Sequence, residues 1–566
     1  MPRNISALVA MTMLVGLSCQ KRSEVKTKPG KQGMLQPDGP RTTTPTRPAP
    51  RPRPAGTDPS RPQVGNNVLD LPTAAGVKAL TAAEGAKLPY VQVDAARVVT
   101  MAKKHCKNHW YGLYLGGKKL GYAQMGCGAK TWKGREVLER SSRMVMQAQM
   151  YTTAVRLEIK TRVLFSTTGV GEMLRYEYTQ SGAQQKKTLL VERKPDGWHI
   201  LRTYQAGAIR KPPEKKLLKT IASNLTNGEA AYSTLLLEGK LRPGSRHRYQ
   251  EFDPEDLKDR DTAAQLLATE TRQLRGVRVK LHKLEMLELH RRLRGVTVVD
   301  DEANWLDGTL QGTIRIRREE KATAKRIDPK AGDFGLGVVI PAKMAVQIPS
   351  KVSQLRLQLS GFLPTSLSET KRHQLVKKSA RLAELTITRE SVAKLPTLTL
   401  PVTNKQFAKQ LESTHNIEAK HAELQALARR AVGGETNALA AARKLNAFVF
   451  KYLRKSLSTN LDSALAIARA RAGDCTEHAR LMVALCRAVG LPAREVGGVT
   501  YVPDLGGFGY HAWVEVWVGR WITSDPSWNE LPANATHIQM GGPDDVQWIG
   551  TLGALKLKVL GFQKQP

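Results

Sequence analysis

The residues with the strongest claim to chemistry in this chain of 566 residues are Cys475, His511 and Asp525. Cys475 follows Gly473-Asp474 and opens the segment CTEHARLMVALCRAVG. In it Ala479, Met482, Val483, Leu485 and Cys486 recur at helical spacing, and Gly490 supplies the stop. The cysteine therefore stands at a helix N-terminus, where unpaired N–H groups and the positive end of the helix dipole favour an anion such as a thiolate. Cys486 lies on the apolar stripe and is assigned to core packing. A thiolate nucleophile needs a base to remove its proton, and the base needs a partner to fix its tautomer. His511 opens the alternating segment HAWVEVWVG, and Asp525 stands before Pro526 in RWITSDPSW. A turn near Gly519-Arg520 lays these strands side by side, so that both residues can face the cysteine helix.

The elements that must hold these residues begin well upstream. A helix from about Ala419 to Val432 stops at Gly433-Gly434, and Thr436-Asn437 offers the N-cap of a second, whose stripe is Leu439, Ala442, Leu445 and Val449. A third, from about Asp462 to Arg471, leads into Gly473-Asp474-Cys475. Before them, from about residue 90 to 330, the pattern has a period of two. Val155, Leu157, Ile159, Val163 and Phe165 alternate with Arg156, Glu158, Lys160 and Arg162, and Gly116-Gly117 in WYGLYLGGKKLGYAQMG marks a hairpin. Similar runs in TLLVERK, VRVKLHKLEML, RGVTVVDDEANWLDG and TIRIRRE predict a mostly antiparallel β region without a catalytic motif. Residues 331–403 read as a β-rich connecting segment, with a strand near Lys351–Leu363 and a Pro-punctuated linker at LPTLTLPVTN, and 404–566 as the catalytic unit. A chain this long exceeds one hydrophobic core, so at least two folded units are expected.

The formal charge of +38 raises nucleic acid as a partner, but Lys and Arg are scattered and no recognition motif accompanies them. A solvated basic surface is expected, with no specific nucleic-acid binding. Arg3 precedes an apolar run from Ile5 to Leu17, too short to span a bilayer and suited to a signal-peptide core. Gly16-Leu17-Ser18-Cys19 resembles a bacterial lipobox, with Gly16 in place of the usual leucine. Residues 1–19 are thus read as a signal peptide with Cys19 as a lipidation site, the alternative being an ordinary secretory signal. Residues 20–89, rich in Pro, Lys, Arg and Thr, are read as a disordered basic linker. In an exported protein Cys106 and Cys127 can form a disulfide, with buried free thiols as the alternative. His105 and His109 beside Cys106 lack a second Cys/His pair, and no metal or cofactor is expected.

The segments GDCTEHARLMVALCRAVGLPAREVGGVTY and YHAWVEVWVGRWITSDPSW together resemble the core of the transglutaminase-like superfamily, in its bacterial exported branch. The resemblance covers about residues 435–545 and rests on Gly473-Asp474-Cys475, the RAxGLPAR turn, His511-Ala512-Trp513 and Asp525-Pro526. ANATHIQM resembles the segment that often follows. The resemblance implies an α+β fold, in which a β-rich antiparallel N-terminal region precedes a papain-like core whose nucleophile helix packs on an antiparallel sheet. It implies acyl transfer: Cys475 attacks an amide carbonyl to give a thioester, His511 moves the proton and Asp525 holds the histidine. The backbone N–H of Cys475 is one expected oxyanion donor. The family usually adds a Trp or Gln upstream, which has no obvious counterpart here, and Tyr452 is the candidate in its place. His478 is one turn beyond the nucleophile and is read as a packing or hydrogen-bonding residue. Tyr510, Trp513 and Trp528 are candidates to border a substrate groove, and GGF before Tyr510 to form a lid, with core aromatics and a hairpin loop as the alternative.

These readings predict a cysteine hydrolase of the bacterial cell envelope, a periplasm-facing lipoprotein or else a secreted protein, acting on protein or peptide amide bonds. A transamidase joining Gln to amines uses the same residues, and a non-catalytic binding module can reuse the fold. Oligomeric state is not addressed by the sequence.

Overall fold

The computed structural model describes residues 70–565 except 116, 151–152, 183–184, 207–208, 255, 275, 291, 311–313, 328–338, 343–344, 362–366, 368–371, 380, 457–460, 462 and 542–554. Cys19, the apolar leader and most of the basic linker therefore lie outside the described residues.

The alternating segments become strands with the expected faces. Leu157, Ile159, Val163 and Phe165 are buried, while Arg156 and Lys160 are exposed. On the outer face Arg143 pairs with Glu158 across neighbouring strands, and Arg162 with Glu139, both at 2.7 Å. The strands join into one antiparallel sheet of fifteen, in which the first strand, His109–Leu115, pairs with the last, Ile314–Glu319. Gly117, at φ +79°, forms the tight turn that pairs Leu115 with Lys118. Cys106 and Cys127 are joined as a disulfide, their α-carbons 5.4 Å apart. The bond ties the helix Ala95–His105 to the strand Lys118–Trp132.

Two boundaries differ from those expected. Residues 70–89 are folded, because a few apolar side chains suffice to dock a polar segment onto an existing sheet. Leu71 packs with Val279, Leu281, Val298 and Leu306, and Leu80 with Ala263 and Leu287. The Leu80 N–H donates to the buried Glu285 at 3.0 Å, and Thr81 with Glu84 caps a short helix. Residues 331–403, in turn, do not stand apart from the unit at 404–566. Their strand Val352–Gly361 pairs on one side with Leu382–Thr388 and on the other with the final strand, Leu555–Lys564.

The C-terminal unit has three helices around the buried helix Cys475–Ala488, namely Ala422–Val432, Ala438–Tyr452 and Ala464–Ala470. The stop of the first and the cap of the second fall on the signals read from the sequence, with Gly433 left-handed at φ +59° and Asn437 accepting the Ala440 N–H at 3.0 Å, while the first starts at Ala422, after a His421 cap, and not at Ala419. The helical layer covers Ala493, Val514, Val516 and Ile522 of a five-stranded sheet. Elsewhere on that sheet Val499, Tyr501, Phe508 and Tyr510 join the larger core, which also takes in Leu355, Leu357 and Val559 of the connecting sheet. The fifteen-stranded sheet touches the helical layer through Tyr204 and Ala206. Lys211 pairs with Glu418 there, and Glu214 with His415.

The start of the nucleophile helix is built by a capping box. The Asp474 carboxylate accepts the Thr476 N–H at 2.7 Å, and Glu477 Oε2 accepts the Asp474 N–H at 2.8 Å. Glu477 Oε1 also accepts the Leu461 N–H at 2.7 Å. This reach across the chain requires a glycine at 473, where a β-carbon would stand 2.2 Å from the Glu477 β-carbon.

Gly473→Ala should therefore displace Glu477, break the capping box and cost about 1–3 kcal/mol, as overpacking does. The urea midpoint reads this, and a midpoint equal to that of the natural protein would overturn it. A second prediction concerns pH. Burial lowers His282 and His537 to about 4 and His373 to about 3, against an ordinary value near 6.5. Between these values the unfolded chain binds protons that the folded chain refuses, so stability should fall as pH drops from about 7 towards 4. Urea unfolding at pH 7.5 and 5 should give a clearly lower midpoint at pH 5.

Candidate active site

Cys475 is the first residue of its helix and is almost fully buried. Its apolar neighbours are Val502, Leu505, Ala512 and Trp528. Burial, the neighbouring Glu477 and Cys475 push the Asp474 carboxyl well above the usual carboxylate range. Cys486 is buried in the helical core, as read from the sequence, and burial pushes its thiol up.

His511 lies on the strand Gly507–Trp517, opposite Gly498 of the strand Ala493–Val502. The next strand, Trp521–Ser524, pairs with Val514–Trp517 and ends at Asp525. Asp525 is held from every side. Its N–H donates to the Glu530 carbonyl at 2.8 Å, and Oδ1 accepts the Ser527 N–H at 2.8 Å. Oδ2 accepts from His511 Nε2 at 2.7 Å. With that proton on Nε2, Nδ1 is the nitrogen left to exchange a proton with a thiol.

Oδ2 has a second partner that sequence reasoning did not single out, His537 Nε2 at 3.0 Å. Its segment, ANATHIQM, carried a family likeness, but a histidine before a short strand has no periodic signature of its own. His537 reaches the site because its strand, Ile538–Gly541, pairs with Ala493–Val502 at a glycine. A β-carbon on Gly498 would lie 2.0 Å from the Ile538 carbonyl oxygen. Burial pushes Asp525 up, but the charge and hydrogen bond of His511, with the hydrogen bond of His537, outweigh it and hold the carboxyl well below the usual range. The ligand atoms of His511, Asp525 and His537 lie within 4.8 Å of one another, close enough to suit a metal ion. Hydrogen bonds to one shared oxygen account for this spacing.

The ring of Trp528 stacks on His511 at 4.8 Å and 16°, and that of Trp513 lies at 6.0 Å and 23°. Trp528 is half-buried and belongs to the same small cluster as Cys475. Trp513 is fully buried and is a wall behind the histidines. Tyr510 does not border the site. Strand alternation turns it to the opposite face from His511, where it is fully buried in the larger core. The GGF segment is a hairpin whose Gly507 and Phe508 pair with strands on both sides, and it is not a lid.

Tyr452 is corrected as an oxyanion donor, because its hydroxyl donates to the Ala468 carbonyl at 2.9 Å and its ring stacks on Phe448. His478 packs as expected: its Nδ1 lies 2.6 Å from the Asp474 carbonyl, its proton is committed there, and burial lowers its pKa.

The transglutaminase-like superfamily matches residues 425–526. No curated protein matches the chain significantly. Among solved structures, a candidate cysteine protease from Cytophaga hutchinsonii is 15% identical, covering 38% of this chain and 87% of that one with a TM-score of 0.25. A beta-barrel-like protein of a domain of unknown function from Brucella abortus is 10% identical, covering 38% and 96% with a TM-score of 0.26. The matched residues 425–526, which contain Cys475, His511 and Asp525, are a domain of the transglutaminase-like superfamily.

Proposed function

We propose that the protein is a cell-envelope cysteine acyl-transfer enzyme that hydrolyses amide bonds of proteins or peptides through a thioester on Cys475. The observation that carries this reading is the fully buried His511–Asp525 hydrogen bond of 2.7 Å, on strands packed against the helix that Cys475 opens. The Nε2 proton of His511 is fixed on Asp525, so Nδ1 takes the thiol proton as sulfur attacks the carbonyl carbon. The tetrahedral oxyanion then collapses, the C–N bond breaks, and the proton passes from His511 to the leaving amine. Water, deprotonated by the same nitrogen, releases the acid and regenerates the thiol. The Cys475 N–H, at the start of the helix, is the oxyanion donor this scheme uses.

The envelope location rests on the signal-like N-terminus with Cys19 as lipid anchor, and the Cys106–Cys127 disulfide is the kind of bond that persists in an oxidising compartment. Among the described residues no helix is long and apolar enough to cross a membrane.

A thiol-directed acylating probe should label the purified protein at Cys475, and His511→Ala should slow labelling by at least tenfold. Equal labelling of the two proteins would remove His511 as the base. Incubation with a Gln peptide and a labelled amine, read by mass, should give cleavage or deamidation. Amine incorporation would make the protein a transamidase, and an unchanged mass across a peptide library would favour a binding module.

A further inference from the structure

We propose that His537 is a positioning residue of the catalytic centre: its hydrogen bond to Asp525 Oδ2 keeps that carboxylate ionised and aimed, and limits its hold on the His511 proton. This rests on the triad reading above.

Two imidazoles share one carboxylate oxygen, at 2.7 Å for His511 and 3.0 Å for His537, and all three side chains are sealed from solvent. An ionised carboxylate in such a place survives only if enough donors point at it. Without His537 the donors would be His511 and the Ser527 N–H alone. His511 must exchange a proton during turnover, so a second side-chain donor that stays put keeps the carboxylate charged throughout the cycle.

His537 is built to stay put. Trp513 and Trp528 meet its ring edge-on, at 5.2 Å and 81° and at 5.4 Å and 72°. Asn534 fixes the backbone ahead of it: its side-chain amide donates to Glu530 at 2.8 Å, and its carbonyl accepts from the buried Arg372. The titratable groups that act on the ring are Asp525, His511 and Arg372; His373 bonds its backbone, and His478 and Glu530 act on Asp525 beside it. Burial holds His537 neutral above about 4, so it carries a single N–H. That proton has two acceptors to choose from, the Asp525 carboxylate at 3.0 Å from Nε2 and the Asn534 carbonyl at 3.2 Å from Nδ1. The charged and nearer acceptor wins, which fixes the Nε2–H tautomer.

A donor removed from Oδ2 leaves more negative charge for the remaining partner, so Asp525 and His511 should both become more basic. His537→Phe keeps a planar ring without the donor, and His537→Gln keeps a donor. In the full-length protein, the pH dependence of Cys475 alkylation by iodoacetamide should contain an inflection that His511→Ala abolishes. His537→Phe should move that inflection up by about one pH unit, and His537→Gln should return it towards its natural position. A folded His537→Phe protein with an unmoved inflection makes His537 a packing residue only and leaves the triad intact. If His511→Ala leaves the profile unchanged, the triad reading fails and this inference falls with it. Independently of any variant, nitrogen NMR of the histidine-labelled natural protein should find His537 protonated on Nε2, and protonation on Nδ1 would overturn the proposal.

Discussion

A carboxylate with no access to water is the constraint around which this site is organised. Left alone in a protein interior, the Asp525 carboxyl would take up a proton and could no longer orient a histidine. It stays charged because donors converge on it from three separate places: His511 from the centre of the sheet, Ser527 from its own loop, and His537 from the residue just before a third strand. Each donor imposes a requirement on the fold. The sheet must place two strands at hydrogen-bonding register, the loop Asp525–Glu530 must close on itself, and a glycine must stand at 498 so that the third strand can come in. Cys475 adds the last requirement, a capped helix end packed against the same strand.

The loop is itself held by a second buried charge. Arg372 is fully enclosed, and its guanidinium donates to Glu390 and to Thr523 Oγ1, both at 2.7 Å, to the Ala533 carbonyl at 3.2 Å and to the Asn534 carbonyl. Glu390 in turn accepts the Thr523 N–H at 3.2 Å. From the helical side, Asn446 accepts the Ser524 hydroxyl at 2.9 Å and donates to Asn529 at 3.0 Å. Buried charges and amides of this kind add little net stability, but a partner removed from any of them leaves an uncompensated group. Their effect is to allow one geometry for the segment from Thr523 to Asn534, which is the segment that carries Asp525.

Much of this was readable beforehand, and the reason is local. A cysteine at a helix start, a histidine opening an alternating strand and an aspartate before proline each carry their own short-range signature, so the helix that Cys475 opens and the paired strands that carry His511 and lead to Asp525 are legible in the sequence. Long-range contacts leave no such signature. Arg372 and Glu390 read as ordinary charges in a β-rich connector, and nothing near them in sequence says that a guanidinium will be enclosed. Tyr452 was a plausible donor by type, and only the packing of Ala464–Ala470 against its helix commits its hydroxyl to Ala468. Tyr510 failed as a groove residue through strand parity, since one residue's step from His511 reverses the face. Leu71 and Leu80 were hidden by the composition around them.

The same long-range bonds decide what the functional unit is. The family match spans residues 425–526, yet Arg372, Glu390 and His537 lie outside it, as does the strand Val352–Gly361, which the final strand Leu555–Lys564 covers. A segment cut to the matched residues would keep all three triad side chains and lose the groups that hold Asp525 charged and its loop closed. The connecting sheet therefore backs the candidate site. It packs into the same core as Val499, Tyr501, Phe508 and Tyr510 of the catalytic sheet, so the apolar contact that attaches the connector and the polar contact that orients the triad are two sides of one interface. A disturbance of that interface reaches Asp525 through Arg372 before it reaches Cys475, and impaired orientation of His511 should precede any loss of the nucleophile helix.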